Sequence, residues 1–198
     1  MYIQNLILGP LNTNCYLVVD NISQKCLIID PADSAETISS EVSRQNLQPV
    51  GMIATHGHYD HIMAAYELQL SFDLALSIHQ KDEFLVDEMV ERAAHWGHRI
   101  PGLQAPKKKE FIDEGDEIAC GQLSFSVVHT PGHTPGGLCF YSSDERVIFT
   151  GDTLFADGVG RTDLSYSSDS QLRKSLDRIR NKFEGYQAYA GHGEKFVI

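Results

Sequence analysis

Three histidines and an aspartate crowd into six residues of this chain, His56-Gly57-His58-Tyr59-Asp60-His61. One buried histidine is usually a packed core residue and two can coincide. Four such side chains directly after an apolar, strand-like run (Val50 to Ala54) form a metal-ligand pattern. Neutral imidazoles and a carboxylate are the donors that a borderline divalent ion such as zinc prefers. In an extended segment residues i and i+2 point the same way, so His56 and His58 can grip one ion. Asp60 and His61 fall where a helix should begin, because Ile62 to Leu70 is apolar and free of Gly and Pro. From that turn they face a neighbouring position, which predicts a second metal beside the first. Gly57 lets the backbone bend with no side chain in the way.

The motif resembles the signature of the metallo-β-lactamase superfamily, in the form typical of its dinuclear hydrolases rather than its antibiotic-degrading branch. Three further motifs follow in matching order. His129-Thr130-Pro131-Gly132-His133-Thr134-Pro135-Gly136-Gly137 is similar to the second histidine motif, with His133 at the ligand position and His129 unassigned. Thr150-Gly151-Asp152 is similar to the third, and Gly191-His192-Gly193 to the last. The resemblance implies His56, His58 and His133 on one metal, Asp60, His61 and His192 on the other, and Asp152 bridging both. It also implies an α/β fold, the αββα sandwich of two mixed sheets with helices outside, and two divalent ions: zinc first, with iron or manganese equally suited to the donors. An aspartate at the Asp30 position would support the metal loops without touching metal; a plain turn residue before Pro31 is the competing reading.

The remaining chain is that of an ordinary globular protein. Its 198 residues suit one domain spanning 1–198. No apolar run approaches the ~20 residues of a membrane span, and Met1 to Asn5 has neither the basic region nor the cleavage site of a signal peptide. A cytoplasmic location and no membrane partner are therefore expected. A formal net charge of -11 argues against nucleic acid. The only local basic run, Lys107-Lys108-Lys109, reads as a solvated loop. Cys15, Cys26, Cys120 and Cys139 are dispersed among apolar neighbours and read as buried free thiols, none a nucleophile. Oligomeric state is left open, a monomer included.

In chain order, strands are expected over residues 2–8, 14–20 and 25–30. Ser34 is placed to cap a helix carrying Ile38, Val42 and Leu47. A short strand over 74–78 precedes a helix over 81–91. Residues 92–110 break the pattern with Trp96, Gly97, Pro101, Gly102 and Pro106, which predicts a loop or flap beside the site. His95 and His98 within it read as surface histidines. Strands follow over 117–128 with a hairpin at Gly121, then over 138–141 and 146–150. An amphipathic helix is expected over 168–183 and a last strand over 187–190.

The ligand set implies a hydrolase. Two divalent ions, two aspartates and a bridging hydroxide leave the site at about +1, and two cations on one water bring its pKa from ~15.7 to near neutrality. Asp60 would orient that hydroxide as well as bind metal. Gly158-Val159-Gly160-Arg161 is similar to the Gly-x-Gly-Lys/Arg segment of glyoxalase-II-type enzymes (hydroxyacylglutathione hydrolases), whose basic residue contacts a glutathione carboxylate. Arg161 is thus a substrate anchor for an anionic thioester or ester, or a structural ion pair with Asp157 or Asp163. The continuation Thr162-Asp163-Leu164 departs from that type, and the helical C-terminal domain of full-length enzymes is absent. Alternatives within the fold are a mononuclear-iron persulfide dioxygenase, which has a similar Gly-x-Gly-Arg-Thr-Asp segment, and a lactone or ester hydrolase.

Overall fold

A computed structural model describes residues 1–198 and shows two six-stranded sheets face to face with helices on both outer surfaces. In the first sheet β1 (Tyr2–Leu8), β2 (Thr13–Val19), β3 (Lys25–Ile29), β4 (Gln48–Ile53), β5 (Leu76–Ile78) and β6 (Lys109–Phe111) lie in sequence order. β1, β2 and β3 pair antiparallel, and β3 to β6 run parallel. The second sheet has the order β12 (Phe196–Val197), β11 (Gln187–Ala190), β10 (Val147–Gly151), β9 (Leu138–Ser142), β8 (Leu123–His129), β7 (Glu117–Cys120). Only β10 and β11 are parallel there. The helices are α1 (Ala35–Arg44), α2 (Tyr59–Ile62), α3 (Ala65–Phe72), α4 (Glu83–Asp87), α5 (Met89–His95) and α6 (Asp169–Lys182).

Side-chain alternation sorts the strands into three apolar layers. Cys15, Leu17 and Val19 face outward with Met52 onto Ile38, Val42, Ile62 and Leu68 of the helices. Tyr16, Val18, Leu27, Ile29 and Ile53 face inward onto Phe125, Val127, Phe140 and Phe149 of the second sheet. Val128, Cys139 and Ile148 cover Leu172, Leu176, Ile179 and Phe183 at α6. Strand β2 is buried on both faces, which is why it reads as an unbroken apolar run. Burying each of these phenyl rings stabilises the sandwich by about 2–3 kcal/mol.

Several local expectations are corrected. Ser34 sits at the start of α1 in the left-handed region with φ 52, and its side chain does not cap the helix; its hydroxyl meets Thr37 Oγ1 at 2.7 Å instead. Leu47 lies past the end of α1 but inside the same apolar layer. The helix expected over 62–70 is interrupted, because the Met63 and Ala64 amides donate to the carbonyls of Ala32 (3.1 Å) and Pro31 (3.0 Å). The helix over 81–91 is a 3-10 turn (Gln80–Asp82) followed by α4 and α5, and it continues to His95. Lys109 is not in a solvated loop: it opens β6, and its ammonium lies between Asp87 and Glu83. The four cysteines are buried and free.

No helix is long and apolar enough to cross a membrane.

Candidate metal centre and its cleft

The chain leaves β3, β4, β10 and β11 at one end of the sandwich, and the loops there carry the predicted ligands. His56, His58, Asp60 and His61 follow β4, His133 lies between β8 and β9, Asp152 follows β10, and His192 follows β11. The structure brings all seven together. His58 Nδ1 lies 3.0 Å from His56 Nε2 and 3.0 Å from His133 Nε2. Asp60 Oδ2 is 3.5 Å from His61 Nε2 and 3.5 Å from His192 Nε2. Asp152 spans the two groups, with Oδ1 3.5 Å from His61 Nε2 and Oδ2 3.5 Å from His133 Nε2.

Each imidazole is held from behind. The outer nitrogens of His61, His133 and His192 face the Asp30 carboxylate (3.0 Å), the Arg161 carbonyl (2.9 Å) and the Leu11 carbonyl (3.2 Å). These partners only accept, so the outer nitrogens carry the protons and the inner ones present lone pairs. His56 Nδ1 meets Thr55 Oγ1 at 3.1 Å, and that hydroxyl already donates to Asp30 Oδ2 at 2.8 Å. His58 Nε2 meets the Tyr166 hydroxyl at 2.9 Å. Five inward lone pairs and two carboxylates therefore converge on one small volume.

Two buried aspartates pin the loops that hold them. Asp30, in the left-handed region with φ 51, accepts the Thr55 amide at 2.6 Å besides its contacts to Thr55 Oγ1 and His61. That supports the loop-bracing reading over the bare turn. Asp82, wholly buried, accepts from the Gly57 amide (3.0 Å), Thr134 Oγ1 (2.7 Å) and the Gly136 amide (2.6 Å). It thereby ties the first histidine loop to the second. A Cβ on Gly136 would stand 2.7 Å from the Asp82 carboxylate, so the glycine is required by the clamp. Gly160 has the same meaning: a Cβ there would lie 2.0 Å from the Asp152 carbonyl and 2.9 Å from His133. Its absence lets Arg161 bring its backbone carbonyl to His133.

The donor set fits divalent ions. A tetrahedral ion with M–N bonds of ~2.0–2.1 Å sets its ligand atoms roughly 3.3 Å apart, close to the spacings here. His61 Nε2 and Asp152 Oδ1 are buried with no hydrogen-bond partner, a costly state unless a cation completes them. Burial lowers the basicity of His56 and His58, and the neighbouring imidazoles add to it. Burial opposes protonation of His61 too, but the carboxylates of Asp60, Asp152 and Asp30 outweigh it and raise the imidazole to about 10. Burial likewise works against the Asp60 carboxylate, yet His61, His192 and His58 hold it well below the usual range. A proton and a cation thus compete for the same inner nitrogen of His61.

The centre floors a cleft of about 320 Å³ whose wall includes Leu11, Tyr59, Arg92, Trp96, His98, Arg161, Leu164 and Tyr166. The irregular 92–110 segment does flank the site, and His98 lines the cleft rather than merely standing on the surface. Arg161 donates through Nε and Nη2 to both Asp163 oxygens (2.6 and 2.8 Å) and stacks over Trp96. The ion pair with Asp163, one of the two readings for its side chain, is present. Asp82, Arg92 and Tyr166 escaped the sequence reading; none lies in a motif, and Asp82 and Tyr166 meet partners far away in sequence. His79, Asp113 and His129 also cluster, but the two rings stack at 4.4 Å and 8°, so their in-plane lone pairs run parallel. His79 Nδ1 accepts the Lys81 amide, which leaves Nε2 carrying its proton toward Asp113 at 3.3 Å. That group is a hydrogen-bonded pair, not a metal site.

Residues 8–192 match the family model described as the metallo-beta-lactamase superfamily. Hydroxyacylglutathione hydrolase GloC of Haemophilus influenzae is 33% identical over 191 residues, covering 93% of this chain and 87% of that protein. The crystal structure of TTHA1623 in a di-iron-bound form superposes with a TM-score of 0.88 at 32% identity, over 98% of this chain and 94% of that one. BLEG-1, described as a B3 metallo-beta-lactamase, superposes with a TM-score of 0.85 at 30% identity, over 99% and 94%.

Proposed function

Because this chain belongs to the metallo-beta-lactamase superfamily, we propose that it is a dinuclear metal-dependent hydrolase acting on an anionic acyl thioester of the hydroxyacylglutathione type. The observation that carries the reading is the buried, unpartnered pair His61 Nε2 and Asp152 Oδ1 between two complete ligand groups, beneath a cleft with two arginines. The name of the Haemophilus influenzae relative supports the substrate class. His56, His58 and His133 would hold one ion, Asp60, His61 and His192 the other, and Asp152 both. Zinc, iron and manganese all suit these donors, and the di-iron relative makes iron a practical choice.

Held by these residues, divalent ions would supply Lewis acidity and lower the pKa of a water toward neutrality. The chain's own groups do the rest. Thr13 Oγ1 donates to Asp60 Oδ2 at 3.0 Å, the oxygen that faces His61 and His192, and so holds the carboxylate toward the second ligand group. Tyr59, Leu11, Trp96 and Leu164 narrow the cleft and keep bulk water from the acyl group. No cysteine serves as nucleophile: all four are buried, and burial raises every thiol, Cys139 to about 11.

The test is hydrolysis of S-lactoylglutathione by protein reconstituted with zinc, iron or manganese, with a neutral thioester, a lactone and a penicillin alongside. Turnover of the glutathione thioester that a chelator removes and metal restores is the expected result. Oxygen consumption on glutathione persulfide with one iron per chain would replace the hydrolase by the dioxygenase reading. Faster turnover of the penicillin or the lactone would move the substrate class.

A further inference from the structure

Two guanidinium groups line the cleft, and they are not equivalent. Arg161 is half-exposed at 51% and spends both nitrogens of one edge on Asp163. A substrate carboxylate would have to displace an intramolecular one that is already bound by two parallel hydrogen bonds. Arg92 is less exposed at 27%, on the helix α5 whose C-terminal Trp96 carries the Arg161 stack. It makes one hydrogen bond, Nη2 to Glu88 Oε2 at 2.6 Å, to a partner that is 56% exposed and held only by helical spacing. Its Nε is buried without an acceptor. Its guanidinium carbon lies 5.4 Å from the Phe84 ring centroid and 5.2 Å from that of Tyr166, against two rings that meet each other edge to face at 5.6 Å, so cation–π contact with this aromatic pair restricts the group.

Tyr166 adds a second donor beside it. The phenol oxygen accepts from His58 Nε2, because His58 Nδ1 points at His56 and His133 and must be the unprotonated nitrogen. The Tyr166 hydroxyl hydrogen is therefore directed away from His58, and the residue faces the cleft.

We propose that Arg92, oriented by Phe84 and Tyr166, is the residue that binds a carboxylate of the substrate, and that the Arg161 side chain is structural. Arg161 serves the site through its backbone, whose carbonyl orients His133. The assignment rests on the hydrolase reading only for the identity of the molecule that enters the cleft.

Trp96 is the sole tryptophan of the chain and stands in the cleft wall, so its fluorescence reports occupancy without any turnover. Zinc-loaded protein is titrated with S-methylglutathione and with its diethyl ester, which lacks the carboxylate charges. Wild type should favour the acid. Arg92→Gln should weaken the acid by about tenfold or more, the scale of a hydrogen bond to a charged group, and leave the ester unchanged. Arg161→Gln should stay within about threefold for both, as befits an exposed ion pair, with zinc content intact in both variants. A larger loss in Arg161→Gln, an equal loss of acid and ester in Arg92→Gln, or no preference in wild type would each overturn the assignment. Should Arg92→Gln melt lower than the parent, Arg92→Lys decides: a reduced acid preference supports the anchor and an unaltered one overturns it. Charge-selective binding without hydrolysis of S-lactoylglutathione would keep the anchor and discard the hydrolase; hydrolysis without charge-selective binding would do the reverse.

Discussion

The floor of the cleft and its wall reach their geometry by opposite routes. On the floor, every imidazole has an acceptor behind it and two buried aspartates pin the loops, so each position is determined several times over. On the wall, Arg92 and Arg161 are placed by part-exposed ion pairs and by stacking on Tyr166 and Trp96. Buried, hydrogen-bonded charges are costly to disturb, whereas exposed pairs are worth little. Chemistry common to a family requires the first kind of construction. Substrate choice, which differs between relatives on one fold, tolerates the second.

The contrast is broken most completely at Asp152. Asp152→Ala removes the carboxylate whose two oxygens face His61 of one group and His133 of the other, so on the proposed assignment both ions should be lost and turnover should fall roughly 10³-fold or more, since even one lost oxyanion donor costs about 10²–10³. Elemental analysis and turnover read this together; two ions retained per chain would show that the floor does not depend on its bridge.

A smaller effect is expected one layer behind. Asp82→Ala touches no ligand but strands two amides and a hydroxyl in the interior. The expected loss is about 3 kcal/mol of stability, or about 6–12 °C in Tm for a chain of this size, with weaker metal binding as the two loops part. An unchanged Tm would mean that the floor is not held from behind.

The least effect on the site should come from residues in neither region. Burial pushes the thiols of Cys26, Cys120 and Cys139 up to about 12, 11 and 11 from an ordinary 9.0. The folded chain therefore holds these protons more tightly than the unfolded chain, and between pH 9 and about 11 the unfolded state binds fewer protons. Stability is full below pH 9 and declines as pH rises through that window. Cys139→Ala should flatten part of the decline seen in Tm against pH and leave turnover per bound metal intact. A steeper decline, or lost turnover, would place a thiol in the mechanism.

What was readable from sequence follows the same division. His56, His58, Asp60 and His61 were visible from residue type and spacing, and His133, Asp152 and His192 from the resemblance of their short motifs to those of a known family. The long strands and α6 were visible because their alternation and helical periodicity are strong. Asp82 gave no signal, since its meaning lies in amides 25 and 54 residues away. The break between α2 and α3 was hidden for a like reason: the carbonyls of Pro31 and Ala32 divert two amides that local propensity assigns to one helix. β6 and β12 are three and two residues long at sheet edges, too short to show a period. Arg161 drew attention through its motif, yet its contact with a ligand histidine is made by its backbone carbonyl, which residue identity does not encode.

The ligand groups also have a topological side. His56, His58, Asp60 and His61 leave the first sheet, whereas His133, Asp152 and His192 leave the second, so each ion held there is a rivet between the two sheets. The fold already fastens that edge: Asn14 and Tyr16 of β2 reach across to the carbonyls of Ala190 and Gly193. Cations added there would act as cross-links between chain segments distant in sequence, a constraint on the unfolded ensemble that grows with the logarithm of the loop enclosed. Loading the centre should therefore slow the separation of the sheets as well as enable chemistry, so a protease would distinguish loaded from stripped protein even in the absence of any substrate.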